Sequence, residues 1–257
     1  MKWISITIAA AGIIGLGFIS KTKSTPLPNE TKSIFIMGSY APVAVLELFT
    51  SEGCSSCPSA DKLLPQLAKL DSNIIPLSFH VDYWNRLGWT DPFSSSEFSQ
   101  RQRNYATQLN LESVYTPQLV VNGKYELVGS NRSNAEAAIK KALKEMSLVK
   151  IGISDVKITG NKVSFISMLA GDYKKTDLLA AIVQKQATTK VRTGENGGAS
   201  LHHINIVREF STQAAAQKNI FELTIPEKLM KDDWQLVVYT QQKNDLKVTG
   251  AVLYTPK

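Results

Sequence analysis

The two cysteines of the chain are the residues whose type and spacing most directly suggest chemistry. Cys54 and Cys57 are separated by Ser55 and Ser56 and are followed by Pro58. Two cysteines cannot hold together a disulfide-rich scaffold, and alone they cannot supply the four ligands of a structural zinc site. A disulfide across so short a loop adds little stability, because stabilisation falls with loop length. A redox-active pair is therefore favoured, with metal ligation and an inert disulfide as alternatives.

A strand and a helix are predicted on either side of the pair. Residues 43–49 are an apolar run of strand-forming residues interrupted by Glu47, and residues 50–53 form a turn. From Cys57 onward apolar residues recur at helical spacing, and a proline is tolerated in the first turn of a helix. A helix N-terminus stabilises a thiolate, so we expect an exposed Cys54 to attack the substrate and Cys57 to resolve the mixed disulfide.

Strands and helices alternate as far as residue 147, which indicates an α/β domain over residues 41–147. The predicted elements after the first helix are a strand at 74–81, a helix at 95–109, strands at 118–121 and 124–128, and a helix at 131–146. Asn122-Gly123 is a strong signal for a hairpin between two of these strands. Asp61, four residues after Cys57, is expected on the exposed face of the first helix.

Strands without helices are predicted for the rest of the chain. They lie at 149–158, 162–169, 177–184, 201–210, 220–225, 234–241 and 246–254. This pattern is typical of a β-sandwich, so residues 148–257 are predicted to form an all-β sandwich-like domain. A polar, glycine-rich loop at residues 192–198 precedes His203. One hypothesis is that this loop folds over Cys54, and the alternative is a structural turn between the domains.

The charge of +7 is unevenly distributed along the chain. Residues 1–30 contribute +2, residues 31–147 are neutral, and residues 148–257 contribute +5. The lysines of the last segment form no dense cluster, so nucleic acid is not expected to be a partner.

The first residues of the chain suggest export from the cytoplasm. A lysine near the start and a mid-length apolar run predict a signal peptide over residues 1–24, with a retained N-terminal membrane anchor as the alternative. Residues 25–40 are predicted to be a linker. These features favour a periplasmic or secreted location, where disulfides persist.

Several motifs carry a resemblance to known families. A CxxC at a strand-to-helix junction, a later Thr-Pro before a hairpin, and a terminal helix resemble the thioredoxin fold over about residues 41–147. More narrowly, the chain resembles a family of secreted bacterial proteins, domain of unknown function 1223, in the segments ELFTSEGCSSCPSAD, FHVDYWNRLGWTDPF, YTPQLVVNG and GENGGASLHHINIVR.

The thioredoxin-like resemblance implies roles for three further residues. Pro117 would have a cis peptide bond and lie against the CxxC, and Thr116 would offer backbone groups to a bound substrate. Glu47 would act as a proton shuttle for Cys57, the alternative being a surface or salt-bridged strand acid. Without the resemblance, a trans bond would be expected before Pro117.

The favoured function is a thiol–disulfide oxidoreductase or isomerase outside the cytoplasm. It would act on protein thiols and disulfides and require an unidentified redox partner. No organic cofactor or metal is expected, because the cysteine pair carries the two electrons. Trp84 in an aromatic loop and His203 are candidate substrate-binding residues.

Two other functions remain open. One is a copper-binding metallochaperone, with His80 or His203 as a third ligand beside the thiolates. The other is a non-catalytic envelope binding module that keeps a static disulfide.

Overall fold

The computed structural model of the protein describes residues 36–229 and 233–256. The predicted signal or anchor at residues 1–24 lies outside the described residues, and so does the predicted linker as far as residue 35. Within the described ranges the chain forms twelve β-strands and three α-helices. The strands are β1 (Ile36–Met37), β2 (Ala44–Thr50), β3 (Ile74–His80), β4 (Gln118–Val121), β5 (Tyr125–Val128), β6 (Val149–Thr159), β7 (Lys162–Gly171), β8 (Thr176–Lys190), β9 (Ser200–Ala214), β10 (Lys218–Thr224), β11 (Trp234–Gln242) and β12 (Val248–Tyr254). The helices are α1 (Cys57–Ala68), α2 (Ser96–Gln108) and α3 (Arg132–Ala142).

Two sheets contain all the described strands. The larger sheet has eight strands in the order β12-β11-β8-β9-β3-β2-β4-β5, and the smaller has four in the order β1-β6-β7-β10. β2 is paired parallel with β3 and antiparallel with β4. The protein is therefore a mixed α/β molecule with a large multi-stranded sheet and a second sheet.

Strand β2 is buried on both faces, which explains its almost continuous apolar sequence. Leu46 and Leu48 pack on one face with side chains of α1 and α3. Val45 and Phe49 pack on the other face with side chains of α2. Alternation along the strand places Glu47 on this second face, on the side of the sheet opposite to α1.

Strand β8 extends the same two-sided burial into the last segment. Leu178 and Ile182 on one face pack against the smaller sheet, where they share a core with Phe165 of β7. Leu179 and Val183 on the other face belong to the core that α2 covers. The two sheets thus pack as layers on a common apolar core.

Most local elements agree with the sequence-based predictions. Each of the seven strands predicted after residue 148 is present among the described residues, although β8 and β9 are several residues longer than predicted. The hairpin predicted at Asn122-Gly123 joins β4 to β5, and both residues have positive φ angles, 50° and 65°. Helix α2 begins after Ser95, whose side chain accepts a hydrogen bond from the backbone of Glu97.

Strand β9 connects the two segments that were predicted as separate domains. It pairs antiparallel with β8 and parallel with β3, where Ser78 lies opposite Ile206. The larger sheet therefore contains strands from both sides of the predicted boundary, and the described residues belong to one compact unit. The boundary at residues 147–148 stays a prediction. This pairing brings the β8–β9 loop and His203 to the cysteine pair.

Candidate functional site

The cysteine pair occupies the connection between β2 and α1. Cys54 and Cys57 form a disulfide. The backbone N–H of Cys54 donates to the carbonyl oxygen of Ser51 at 3.2 Å, and that of Cys57 donates to the carbonyl oxygen of Cys54 at 3.2 Å. Helix α1 begins at Cys57, with Ser56 at its N-cap. The pair lies at a helix N-terminus, as the sequence predicts.

Both cysteines are buried in this disulfide form. Cys54 is 1% exposed and Cys57 is 0% exposed. The expectation that Cys54 is exposed is therefore wrong, because neighbouring loops cover its sulfur. The carbonyl oxygen of Thr116 lies 3.8 Å from Cys54 Sγ, and the hydroxyl oxygen of Ser56 lies 3.4 Å from it.

Thr116, whose carbonyl oxygen lies near this sulfur, is joined to Pro117 and Trp84. The Thr116–Pro117 peptide bond is cis, as the resemblance implies. The carbonyl oxygen of Thr116 accepts a hydrogen bond from Ser56 Oγ at 3.3 Å. The indole N–H of Trp84 donates to the hydroxyl of Thr116 at 2.8 Å. Three of the predicted site residues are thus linked to one another, and Thr116 among them lies beside Cys54.

The glycine-rich loop covers the other side of the pair. We call residues 192–199, between β8 and β9, the cap. Asn196 Nδ2 donates to the carbonyl oxygens of Glu52 and Cys54, both at 2.9 Å. Glu195 Oε2 accepts a hydrogen bond of 3.0 Å from the backbone N–H of Ser55. The hypothesis that this loop folds over Cys54 agrees with these contacts.

The cap also contacts the aromatic loop that follows β3. Thr193 Oγ1 donates to the carbonyl oxygen of Gly88 at 2.5 Å. Gly194 has a φ of 77°, and a Cβ there would lie 3.3 Å from Trp89 Cβ. Glycine is favoured at this position because it tolerates both the positive φ and the close approach.

A buried charged cluster lies beneath the cysteine pair. Glu52, two residues before Cys54, is 0% exposed, and its carboxylate accepts hydrogen bonds from Trp89 Nε1 at 2.8 Å. Its other oxygen lies 3.2 Å from His203 Nε2. His203 Nδ1 faces Asp61 Oδ2 at 3.6 Å, and the second oxygen of Asp61 accepts from Thr50 Oγ1 at 3.0 Å.

The environment of His203 favours its protonated form. Burial disfavours the imidazolium and on its own would lower the pKa of His203. The nearby carboxylates of Asp61 and Glu52 outweigh burial and raise the pKa of His203 to about 9. His203 is therefore the cation of this cluster at neutral pH. In this buried position its ring contacts Glu52 and Asp61, which flank the cysteine pair in sequence, although the sequence suggests a substrate-binding role.

A second buried histidine–carboxylate pair adjoins the first. His80 Nδ1 lies 2.7 Å from Asp91 Oδ2, and both side chains are fully buried. Burial would raise the pKa of Asp91, but the charge and hydrogen bond of His80 outweigh it and hold the pKa below its ordinary value. The same Asp91 oxygen accepts a hydrogen bond of 2.8 Å from the backbone of Glu52. The rings of His80 and His203 meet edge to face, with centroids 4.7 Å apart.

Glu47 lies apart from these groups, on the face of β2 that α2 covers. Arg101 Nε and Nη2 donate to its two carboxylate oxygens at 2.6 and 2.8 Å. Tyr105 donates to the same carboxylate at 2.8 Å, and burial raises the pKa of that hydroxyl well above its ordinary value. Among the described residues, the hydrogen bonds of Glu47 are to Arg101 and to tyrosine hydroxyls. The structure does not bring Glu47 to the cysteines.

Asp61 and Glu52 belong to the site, although the sequence does not predict this. The prediction that Asp61 is exposed is wrong: it is 6% exposed, because β9 and the cap cover this face of α1. No sequence pattern singles out Glu52 or Asp91. The only local signal is that Glu52 directly precedes Gly53-Cys54, in a turn that the pattern predicts to be polar.

The part of the chain that the structure describes has neither a cluster arranged for a metal ion nor a membrane-spanning helix. There, no group of three or more histidine, cysteine, aspartate or glutamate side chains is arranged to hold a metal ion. No helix within residues 36–229 and 233–256 is long and apolar enough to cross a membrane.

Comparisons with known proteins place these features in a wider group. The model of a family described as a protein of unknown function, DUF1223, matches residues 45–241. The matched range includes the cysteine pair, the cap and His203. No curated protein matches the sequence significantly.

Two solved structures resemble the chain over most of its length. The crystal structure of a protein from Agrobacterium tumefaciens is 27% identical, covers 84% of this chain and 96% of its own, and has a TM-score of 0.62. HBP35 of Porphyromonas gingivalis is 14% identical, with 85% of this chain and 76% of its own covered and a TM-score of 0.60. The second likeness concerns the fold alone.

Proposed function

The chain belongs to the DUF1223 family of unknown function, and we propose that it is a thiol–disulfide oxidoreductase acting outside the cytoplasm. The single observation that carries this proposal is the position of the Cys54–Cys57 disulfide. It lies at the N-terminus of α1, with the carbonyl oxygen of Thr116 3.8 Å from Cys54 Sγ. A thiolate at a helix N-terminus is stabilised by the free N–H groups and the positive end of the helix dipole.

A thioredoxin-like fold for residues 41–147 is part of the proposal. It is supported by the parallel pairing of β2 with β3 across helix α1 and by the antiparallel β4–β5 hairpin that follows. Helix α3 packs on the same face of the sheet as α1. The Thr116–Pro117 segment at the start of β4 then lies beside the cysteine pair.

The proposed reaction exchanges two electrons between the pair and a protein substrate. A substrate thiolate attacks Cys54 Sγ, the Cys54–Cys57 bond breaks, and Cys57 leaves as a thiolate that takes a proton. A second substrate thiolate attacks the substrate sulfur of the mixed disulfide and releases Cys54 as a thiolate. The substrate leaves as a disulfide and the protein as a reduced pair. An isomerase or reductase uses the same steps in other orders.

Residues around the cysteine pair have roles in these steps. Thr116 presents backbone groups beside Cys54, where an extended substrate segment would lie. Trp84 anchors Thr116 through its indole N–H. Because Cys54 is 1% exposed, the cap must move before a protein substrate can reach it. The export signal predicted at residues 1–24 supports a periplasmic or secreted location, with a retained anchor as the alternative.

A trapping experiment tests the proposal. Cys57→Ser removes the resolving thiol, so the mixed disulfide between Cys54 and a substrate should accumulate when reduced protein meets a dye-labelled peptide disulfide. Cys54→Ser is the matched control and should trap nothing. Equal labelling of the two variants, or labelling of neither, would contradict the proposal and favour a non-catalytic module with a static disulfide.

A further inference from the structure

Two buried polar atoms of the charged cluster have no hydrogen-bond partner and face each other. They are Asp61 Oδ2 and His203 Nδ1, 3.6 Å apart, in the part of the molecule that the structure describes. Buried polar groups are normally satisfied, so such a facing pair requires an explanation. A proton moving between the two atoms, with a small shortening of the gap, would satisfy both.

Asp61 lies close to the resolving cysteine along α1 and at the edge of a groove. It lies one helical turn after Cys57, and residues at this spacing in a helix lie on the same side with Cβ atoms about 5–6 Å apart. Asp61 also borders a groove of about 640 Å³ between α1 and β9, lined in part by Lys62, Gln66 and Leu201. His203, in contrast, is 1% exposed. Asp61 is therefore placed between His203, Cys57 and the groove.

We infer that Asp61 and His203 form a proton-transfer pair for the resolving cysteine, with the groove as its connection to solvent. This inference rests on the proposed oxidoreductase function and deepens it. His203 is a positioning residue in this account, because it acts on the cysteine through Asp61. The proton-shuttle role that the resemblance implies for Glu47 is assigned instead to Asp61, a carboxylate on α1.

Breaking the disulfide creates a thiolate on Cys57, and this thiolate must gain a proton. When a thiolate attacks Cys54, the disulfide bond breaks and its electron pair stays on Cys57. The carboxylate of Asp61 takes a proton from His203 Nδ1, which leaves a neutral imidazole, and passes this proton to the Cys57 thiolate. A proton from solvent reaches Asp61 through the groove and restores the imidazolium. On oxidation the Cys57 thiol returns a proton by the reverse route.

Several charged groups lie around the imidazole ring of His203. Glu52 from the β2–α1 turn and Asp61 from α1 carry the negative charge next to its ring. His80 from β3 touches the ring edge to face and is paired with Asp91. Arg208 on β9 itself lies over the ring of Phe93, which is 5.8 Å from that of His203. The cluster thus holds a cation next to a carboxylate that borders solvent.

The test follows reduction of the Cys54–Cys57 disulfide by dithiothreitol in the full-length protein. Acid-quenched samples are alkylated and scored by mass, and rates are divided by the thiolate fraction of dithiothreitol at each pH. In the wild type the corrected rate should be constant near neutral pH and fall as the pH rises through about 9, where His203 loses its proton. Asp61→Asn and His203→Gln should be at least about tenfold slower at pH 7 and lack this fall.

Two further variants separate a proton-transfer role from a structural one. Asp61→Glu keeps a carboxylate and should recover part of the rate and the fall with pH. Glu136→Gln makes the same carboxylate-to-amide change on the exposed face of α3 and should behave as the wild type. Rates of Asp61→Asn and His203→Gln within about twofold of the wild type, with its pH profile, would overturn the inference.

If both variants fail to fold, the pH profile of the wild type still tests the inference. A corrected rate that shows no fall around pH 9 would overturn it without any variant. If the wild-type disulfide is reduced normally but forms no mixed disulfide with peptide substrates, the proposed function fails while the proton-transfer pair can still be measured.

Discussion

The carboxylate of Glu195 accepts a hydrogen bond of 3.0 Å from the backbone N–H of Ser55, across 140 residues of sequence. Ser55 is the first residue between the two cysteines, and the neighbouring Asn196 binds the carbonyl oxygens of Glu52 and Cys54. A loop from the last part of the chain therefore lies against the disulfide. We therefore expect access to Cys54 to require breaking these contacts.

Loosening the cap should make the disulfide more reactive. Glu195→Ala combined with Asn196→Ala removes three hydrogen bonds, each worth about 1 kcal/mol net. The open form should become more populated, and reduction by a bulky thiol protein should accelerate on the order of tenfold to a hundredfold. The rate is measured by alkylation of the released thiols.

The matched control for the cap is Glu222→Ala, an exposed acid of β10 that pairs with Lys162. It should leave the rate unchanged. Equal reduction rates for the cap variant and the wild type would mean that the cap does not limit access.

The pair of Glu47 and Arg101 is expected to stabilise the fold without taking part in proton transfer. Glu47→Gln leaves the guanidinium of Arg101 buried without its counter-charge, which typically costs about 3–5 kcal/mol. Chemical denaturation should show this loss, whereas Glu136→Gln, which breaks an exposed pair with Arg132, should cost under about 1 kcal/mol.

The same Glu47→Gln variant distinguishes the two carboxylates considered for the proton shuttle. Where it remains folded, its disulfide should be reduced at the wild-type rate with the wild-type pH profile. A slowed, pH-insensitive reduction in Glu47→Gln, with Asp61→Asn behaving as the wild type, would return the shuttle role to Glu47.

The pH dependence of stability should carry the signature of His203. Its pKa is raised to about 9 in the folded protein, above the ordinary value of 6.5. Folding therefore gains free energy from protonated His203 that is fully present below pH 6.5 and is lost as the pH rises through about 9. By the value of one pKa unit, this contribution is about 3 kcal/mol.

Denaturant titrations at a series of pH values measure this effect. The free energy of unfolding of the wild type should fall between pH 6.5 and 9, and His203→Gln should be less stable and lack that fall. A wild-type curve that is flat over this window would contradict a buried imidazolium at this position.

Local features of the fold could be predicted from the sequence. The apolar run of β2, the hairpin at Asn122-Gly123 and the helix start at Cys57 each depend on residues close together in the chain. The same holds for the strands after residue 148, whose strand-forming residues are visible in short windows. The position of Thr116 beside the cysteines was expected from the resemblance to thioredoxin-like proteins.

The charged cluster could not be predicted in the same way. Asp61 and His203 are 142 residues apart, and they meet because β9 pairs parallel with β3, which no local pattern indicates. For the same reason Asp61 was expected to be exposed, since the strand that covers it comes from the other end of the chain. Glu47 is an acid in an apolar strand, and its ion pair with Arg101 on α2 explains its burial.

The most direct test of the account is a glutathione redox titration of the protein, with Cys54→Ser and Cys57→Ser as controls. The fraction of Cys54–Cys57 disulfide is measured by alkylation as the ratio of reduced to oxidised glutathione is varied. A redox-active pair predicts reversible reduction at a potential above about −300 mV, with Cys54 reactive in the Cys57→Ser variant. A potential below about −300 mV together with an unreactive Cys54 would show a structural disulfide and contradict the account.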